Sequence, residues 1–471
     1  MTKGIFSFDT TIVAPASGTG GAISVIRISG KDAHQALNNI FRANKGGSVA
    51  KARSEGFRIV YGEIMDGKEL VDDVLVSYFK SPSSYTGEDS VEISCHASSY
   101  IQQKILQLLI EGGVSPARPG EFTQRAFING KMDLSQAEAV ADLIASETEA
   151  SHRLAINQMR GAYSNEINKL KDKMLHFASM IELELDFGEE DVEFADRDEL
   201  KSMVEEIKSY TDSLADSFRY GNVIKNGVPV AIVGKPNSGK STLLNALLKD
   251  DRAIVSEIPG TTRDIIEDTI IIEGVLFRFI DTAGLRETAD IIENLGIRRT
   301  YQKIEQADIV LLIADVSDTA EVINKAYRAV SDQIKDASKE LILVLNKMDI
   351  LDERRLGDLK NSLTCKDSKC VIISALEGKG IEILTSYLTR YVSDKSTGES
   401  TLVVSNLRHY NALMECSNSL SRLIEGIDKQ MAEDFLAMDL RQAIHYLGEI
   451  TGEISTDDLL GNIFKNFCIG K

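Results

Sequence analysis

The chain of 471 residues contains no run of about eighteen consecutive apolar residues, so nothing in it predicts a membrane-spanning helix. Its five cysteines, at 95, 365, 370, 416 and 468, form no C-x-x-C pair and predict a protein of a reducing cytoplasm. Six scattered histidines supply no zinc spacing of the H-E-x-x-H kind. The start, Met1 to Asp9, has neither a secretory apolar core nor an Arg-rich amphipathic leader. Basic residues are short: 53 against 72 acidic ones, a formal charge of −19. That balance argues against a broad coat for nucleic acid, since such binding is driven by neutralising phosphates. A local basic patch or a basic partner remains compatible with it.

What is present is a length suited to about three domains, with 43% hydrophobic and 27% charged residues, ordinary for a globular chain. Residues 1–118 alternate short β-prone runs, such as Ala22–Ile28, Phe57–Tyr61 and Val74–Phe79, with polar turns. One helix-like stretch, Tyr100–Glu111, repeats apolar residues at Ile101, Ile105, Leu108 and Leu109. A small α+β domain is expected there. The hinge Pro116-Ala117-Arg118-Pro119-Gly120 then gives way to helical pattern over 119–220, opened by Ser135-Gln136-Ala137-Glu138 read as a capping box. The acidic stretch Asp186–Glu193 is expected to be an interhelix loop. Helical pattern returns over 381–471, where Leu436, Leu440, Ile444 and Leu447 form a core-facing stripe. The simplest architecture joins the two helical segments into one bundle, with residues 221–380 inserted between them.

That insert carries the chemistry. Gly234-Lys235-Pro236-Asn237-Ser238-Gly239-Lys240-Ser241 is a full G-x-x-x-x-G-K-S loop, between the β-prone run Val230–Val233 and the helix-like run Thr242–Leu248. In that context glycines let backbone N–H groups face phosphates, Lys240 reaches the β/γ-phosphates, and Ser241 can ligate Mg2+. Asp281-Thr282-Ala283-Gly284 follows another strand-like run, where an Asp organises the magnesium shell and a Gly amide senses the γ-phosphate. Asn346-Lys347-Met348-Asp349 follows Leu341–Leu345, and the Asp349 carboxylate can pair with the N1–H and exocyclic amine of guanine. Adenine would leave that carboxylate unpaired, which disfavours an ATPase. Ser374-Ala375 fits the loop whose backbone meets the guanine oxygen. Four ordered motifs, each at a strand end, predict a GTP-binding domain.

Between the first two motifs, Gly260-Thr261-Thr262-Arg263-Asp264 occupies the place of a switch, with Thr262 set to complete the magnesium shell. After D-x-x-G, signalling GTPases carry a glutamine that orients water. Here the residue is Leu285, so another group must align the water. Glu287, Asp290 and Glu293 are the nearest carboxylates, and an acidic helix start is as good a reading for the first two.

Beyond these generic motifs, several strings are specific: Val25-Ile26-Arg27-Ile28-Ser29-Gly30, Tyr85-Thr86-Gly87-Glu88-Asp89, Ala117–Phe122, Lys131–Ala139, Thr261–Asp264 and the terminal Phe467-Cys468-Ile469-Gly470-Lys471. Through them the chain resembles, over essentially its full length, the bacterial tRNA modification GTPase family MnmE (TrmE). The resemblance implies a multidomain α/β plus α protein: an N-terminal α+β domain that binds a tetrahydrofolate and dimerises (1–118), a helical domain in two parts (119–220 and 381–471), and an inserted Ras-like P-loop GTPase domain (221–380). It implies modification of the tRNA wobble uridine at carbon 5 with a carboxymethylaminomethyl or aminomethyl group, together with the partner MnmG. FAD is expected on that partner only. It further implies GTP hydrolysis stimulated by K+ as two GTP-binding domains approach.

Carried over residue by residue, the nucleotide contacts are Asn237 to Thr242, Ser256, Glu257, Ile258, Pro259, Gly260, Thr261, Thr262, Asp281 to Gly284, Asn346, Lys347, Asp349, Ser374 and Ala375. Ser241 and Thr262 would hold Mg2+; Asn237, Ser256, Ile258 and Thr261 would hold K+. Glu293 matches the carboxylate that positions water, and Arg286 is a further candidate. Arg27, Glu88, Lys131 and Lys471 would contact 5-formyltetrahydrofolate or a related tetrahydrofolate. Cys468 would be a nucleophile or a packing or positioning residue, with no adjacent base to favour the first. Two departures stand out: Pro259 precedes the glycine of the ion loop, and Ser238 replaces a common alanine. A competing reading is a GTP-controlled binding switch such as a ribosome-assembly factor. Those factors usually carry a basic RNA-binding appendage, whereas this chain is acidic.

Overall fold

A computed structural model describes residues 9–18, 21–44, 49–186, 197–249, 253–255, 268–280, 302–334, 336, 339–365, 369–393, 402–465 and 467–470. The chain divides into two compact units, one of Met1–Ile144, Ala155–Lys208 and Glu415–Lys471, the other of Ala145–Leu154 and Ser209–Met414.

The first unit opens with β1 (Ile12–Pro15), β2 (Ile23–Ser29), α1 (Ala33–Asn38), β3 (Phe41–Ala43), α2 (Val49–Glu55), β4 (Arg58–Asp66), β5 (Glu69–Phe79), β6 (Ser90–His96), α3 (Ser99–Glu111) and β7 (Ser115–Pro116). The strands form one sheet in the order β3-β4-β5-β6-β2-β1-β7. All pairs are antiparallel except β1 with β7. Period-two patterning sets its faces: in β5, Val74, Val76 and Tyr78 are buried while Leu75 is 48% exposed. The buried set packs with Ala33, Leu37, Ile105 and Leu109 of the helices. Where the sequence pattern shows one helix there are three, because α1 and α2 have only 6 and 7 residues, too few for a helical period to register. On the opposite face, Ile12, Ala14, Ala117 and Phe122 form a small cluster with Tyr85.

Helices α4 (Glu121–Ile128), α5 (Leu134–Ala145), α6 (Glu149–Met159), α7 (Ala162–Asp186) and α8 (Arg197–Asp216) follow. The capping box lies two residues earlier than the sequence reading puts it. Asp133 Oδ1 accepts from Gln136 N at 2.8 Å, and Gln136 Oε1 accepts from Asp133 N at 2.9 Å. Ser135 is instead buried in the first turn, its carbonyl accepting from Gln158 Nε2 at 3.0 Å. The physical reason is that Leu134 is itself fully buried and must already lie on the helix. The acidic stretch after Asp186 lies outside the described residues.

The second unit holds α9 (Phe218–Asn226), β8 (Val228–Gly234), α10 (Lys240–Lys249), β9 (Ala253–Val255), β10 (Asp268–Ile272), β11 (Val275–Phe279), β12 (Ile309–Asp315), α11 (Ala320–Ser331), β13 (Glu340–Asn346), α12 (Glu353–Asn361), β14 (Cys370–Ile372) and α13 (Ile381–Ser393). Its sheet runs β14-β13-β12-β8-β11-β10-β9. The first five strands are parallel, and β10 and β9 add antiparallel. Parallel strands covered on both faces read as continuous apolar runs, as Ile309–Ala314 does. One face packs Val230 and Ile232 against Leu243 and Leu247 of α10; the other packs Ala231 and Val233 with Ile323 of α11 and Leu356 of α12. Ile381, Leu384, Leu388 and Val392 of α13 belong to the first of these cores. This helix, which the sequence reading places at the start of the returning bundle segment, therefore packs with the sheet of the second unit.

The chain ends with α14 (Leu407–Asp428), α15 (Glu433–Thr451) and α16 (Asp457–Phe464). In the first unit α15 buries Leu436, Leu440 and Leu447, and packs on α7, where the nearly buried Lys171 pairs with Glu453. Among the described residues, no helix is long and apolar enough to cross a membrane.

Candidate functional site

Strand β8 lies between β12 and β11, so chain connections leave it in opposite directions and open a crevice at its C-terminal end, where ligands of such sheets bind. The loop 234–239 fills that end. Asn237 has a left-handed backbone, φ 63°, and Gly239 another, φ 95°. A side chain at 239 would place Cβ 2.0 Å from Asn346 Nδ2, so only glycine fits. Lys240 opens α10, and its Nζ donates to the carbonyls of Gly234 at 2.9 Å and Lys235 at 2.7 Å. Burial, with Lys303 nearby, lowers the Lys240 pKa from the ordinary lysine value. An anion among these N–H groups would relieve that cost. Ser241 and Thr242 are exposed in the first turn of α10.

Asn346, 2% exposed, ties this loop to the next. Its Nδ2 donates to Ser238 O at 2.9 Å, and its Oδ1 accepts from Ala375 N at 3.0 Å. Lys347 takes a left-handed conformation, φ 69°, and pairs with Asp315 Oδ2 at 2.5 Å. Burial alone would raise the Asp315 pKa, but hydrogen bonds from Lys347 and Ser317 outweigh it and the value is lowered. Asp349 Oδ1 accepts from Ser374 Oγ at 2.5 Å. A cleft of about 710 Å³ opens beside these groups, lined by Thr242, Asn245, Lys249, Ala375, Leu376 and Glu382.

The described members of the sequence-derived nucleotide set are thus gathered at the ends of β8, β13 and β14. The sequence reading did not include Asp315, or the Ser374 hydroxyl as partner of Asp349; Asp315, at the end of β12, bears no motif. Ser256, Glu257, Ile258, Pro259, Gly260, Thr261, Thr262, Asp281, Thr282, Ala283, Gly284, Arg286, Glu293 and Lys471 lie outside the described residues.

A second constellation sits on the outer face of the first unit's sheet. Arg27 on β2 pairs with Glu92 at 2.9 Å, and its guanidinium stands 5.2 Å from the Tyr85 ring centroid and 5.7 Å from that of Phe122. Burial raises the Tyr85 pKa against the opposing pull of Thr123 and Arg27. Glu88 Oε2 accepts from Ser29 Oγ at 2.8 Å and from Arg125 Nη1 at 3.2 Å. Lys131 Nζ donates to Pro82 O at 3.0 Å, at the base of the same 82–89 loop. The C-terminal tail docks here: Gly120 N donates to Cys468 O at 3.3 Å, and Arg27 Nη1 to Gly470 O at 3.4 Å. Cys468 is exposed. Cation, carboxylate and aromatic faces in one place suit a flat heterocycle bearing N–H donors and an anionic tail. Tyr85 and Phe122 lie in strings that carry the family resemblance but, like Arg125, were not among the candidate folate contacts.

Two family models match the chain: "MnmE helical domain" over residues 134–468 and "GTP-binding protein TrmE N-terminus" over residues 11–131. Curated relatives match along nearly their whole length. The chain is 51% identical to the tRNA modification GTPase MnmE of Christiangramia forsetii, covering 98% of this chain and 99% of that one. It is 50% identical to that of Bacteroides thetaiotaomicron (98% and 99%) and 49% to that of Cytophaga hutchinsonii (98% and 98%). Among solved structures, Era in complex with MgGDPNP and a 16S ribosomal RNA segment is 30% identical over 40% of this chain and 65% of that one, with a TM-score of 0.27.

Proposed function

The chain belongs to the MnmE family of tRNA modification GTPases, and from that premise we propose that it hydrolyses GTP in its second unit to drive modification of carbon 5 of the wobble uridine in certain tRNAs. The observation that carries the nucleotide reading is the Asn346 bridge, which joins the phosphate loop at Ser238 to the base loop at Ala375. Guanine is favoured over adenine because Asp349, steadied by Ser374, offers a carboxylate to two N–H donors. The nucleoside would lie over Thr242 and Ala375, on the border of the 710 Å³ cleft.

Two metal ions fit the donors present. Ser241 offers a hydroxyl at the N-terminus of α10 for Mg2+, and Asn237 presents an exposed amide from a left-handed turn for K+. Thr262, Ser256, Ile258 and Thr261 would complete those shells. When bound, the ions neutralise charge on the phosphates, the part an arginine plays in other GTPases. Lys240 holds the phosphate oxygens, the loop amides orient them, and Glu293 positions the attacking water.

A tetrahydrofolate fits the second constellation. Arg27, Lys131 and Lys471 would face the glutamyl carboxylates, Glu88 the pterin donors, with Tyr85 and Phe122 as apolar walls. Cys468, on the docked tail, is given a positioning role. The exposed outer face of β4 and β5, with Ile59 at 69%, Tyr61 at 51% and Leu75 at 48%, supports pairing of two N-terminal domains. MnmG is the expected partner and carries FAD. The domains run 1–118, 119–220 and a GTP-binding insert from 221, with the insert extended through α13 on the strength of its packing.

The test is reconstitution with MnmG, a tRNA substrate, a reduced folate and GTP, followed by nucleoside analysis of position 34. Modification that requires GTP and is lost in Asp349→Ala supports the proposal. Full modification without GTP would contradict it.

A further inference from the structure

Arg125 on α4 is the largest of the fully buried side chains among the described residues, at 0% exposure. Its Nη1 donates to Thr10 O at 2.8 Å and lies 3.2 Å from each oxygen of Glu88; its Nη2 donates to Glu121 Oε1 at 2.9 Å. A buried cation of this kind is costly unless paired, and here two carboxylates surround one guanidinium. The two are not equivalent. Glu121 is 5% exposed, and its other oxygen is taken by Arg118, from backbone N at 2.9 Å and from Nε at 3.3 Å. Glu88 is 18% exposed, and Tyr85 of the same loop stands beside Arg27 and Phe122. Ser29 holds it from the strand side, and Thr86 in turn holds Ser29 at 2.6 Å. A purely structural ion pair has no need of this arrangement. Glu121 alone, i to i+4 on the same helix, already supplies the counter-charge.

We propose that Arg125 is a positioning residue for ligand recognition: it fixes the Glu88 carboxylate so that its outward edge accepts the paired ring N–H donors of a reduced pterin. This rests on the reading of Glu88 as a folate contact. A carboxylate bracketed by Nη1 and a serine hydroxyl, with Nη2 of the same planar guanidinium anchored on Glu121, cannot rotate away, so its acceptor geometry is set before the ligand arrives. Lysine at this position keeps the charge but has no second nitrogen with which to hold Glu88 and Glu121 together.

The experiment is a double-mutant cycle on the full-length protein, reading 5-formyltetrahydrofolate affinity by calorimetry for wild type, Arg125→Lys, Glu88→Gln and the double variant. Each single change should weaken binding on the order of tenfold, as expected for one charge-assisted hydrogen bond. In the Glu88→Gln background Arg125→Lys should weaken it no further. Additive losses would overturn the proposal and make Arg125 a structural clamp. Wild-type protein that binds no reduced folate, or Glu88→Gln with unchanged affinity, would instead overturn the underlying folate reading and the proposal with it. Where Arg125→Lys fails to fold, Arg125→Gln combined with Glu121→Gln, which removes buried charge of both signs, takes its place in the cycle.

Discussion

The Asn346 amide is 2% exposed and commits both its ends to neighbouring loops, Ser238 on one side and Ala375 on the other. Removing it leaves a buried carbonyl and a buried N–H without partners, each costing roughly 1–3 kcal/mol. Asn346→Ala should therefore weaken GDP and GTP alike by about 100-fold, measured with a fluorescent guanine nucleotide. Loss of GTP binding with GDP untouched would place Asn346 at the γ-phosphate instead. A second prediction concerns Glu121. Burial pushes its pKa up, but the Arg118 amide and Arg125 outweigh this, and the value falls below that of an ordinary glutamate. A depressed folded pKa stabilises the protein fully above the unfolded value and loses that contribution as pH falls through the folded one. The difference in urea midpoint between wild type and Glu121→Gln should be flat from about pH 7 to 5 and shrink below about 4.5. A difference that grows on acidification would contradict the assignment. At this scale the sequence disclosed Asp349 and Lys240, which motifs announce, and hid Asp315 and Arg125. An ion pair between distant segments leaves no periodic trace.

The strands of both sheets stand close to where β-prone runs lie, because period two in β5 and continuous apolar runs in β12 and β13 are imposed by burial. Helix starts were harder to read. Ser135-x-x-Glu138 has the right residue types for a capping box, yet Asp133 and Gln136 make the reciprocal bonds, since Leu134 is fully buried. Asp133→Ala should cost about 1 kcal/mol, read as a lowered urea midpoint, whereas Ser135→Ala should not act through the cap. Equal effects traced to loss of the first-turn amide protection in both variants would restore the earlier placement. The short α1 and α2 and the packing of α13 are tertiary outcomes that no local window contains.

At the scale of the molecule, two chemistries sit on separate scaffolds: a phosphate and guanine site on the parallel sheet, and a cation, carboxylate and aromatic site on the antiparallel one. The broad organisation was legible, since an insert flanked by helical pattern is visible in composition and motif order. Family identity then rests on similarity along 98% of the chain. We propose that hydrolysis is completed by K+ held at Asn237 as two GTP-binding domains meet. GTP turnover should be compared in potassium and sodium chloride at matched ionic strength, across a protein dilution series. Turnover should be at least tenfold faster in potassium, on the order of 1.4 kcal/mol of barrier, with the advantage fading on dilution. Equal rates in both salts at every protein concentration would contradict it.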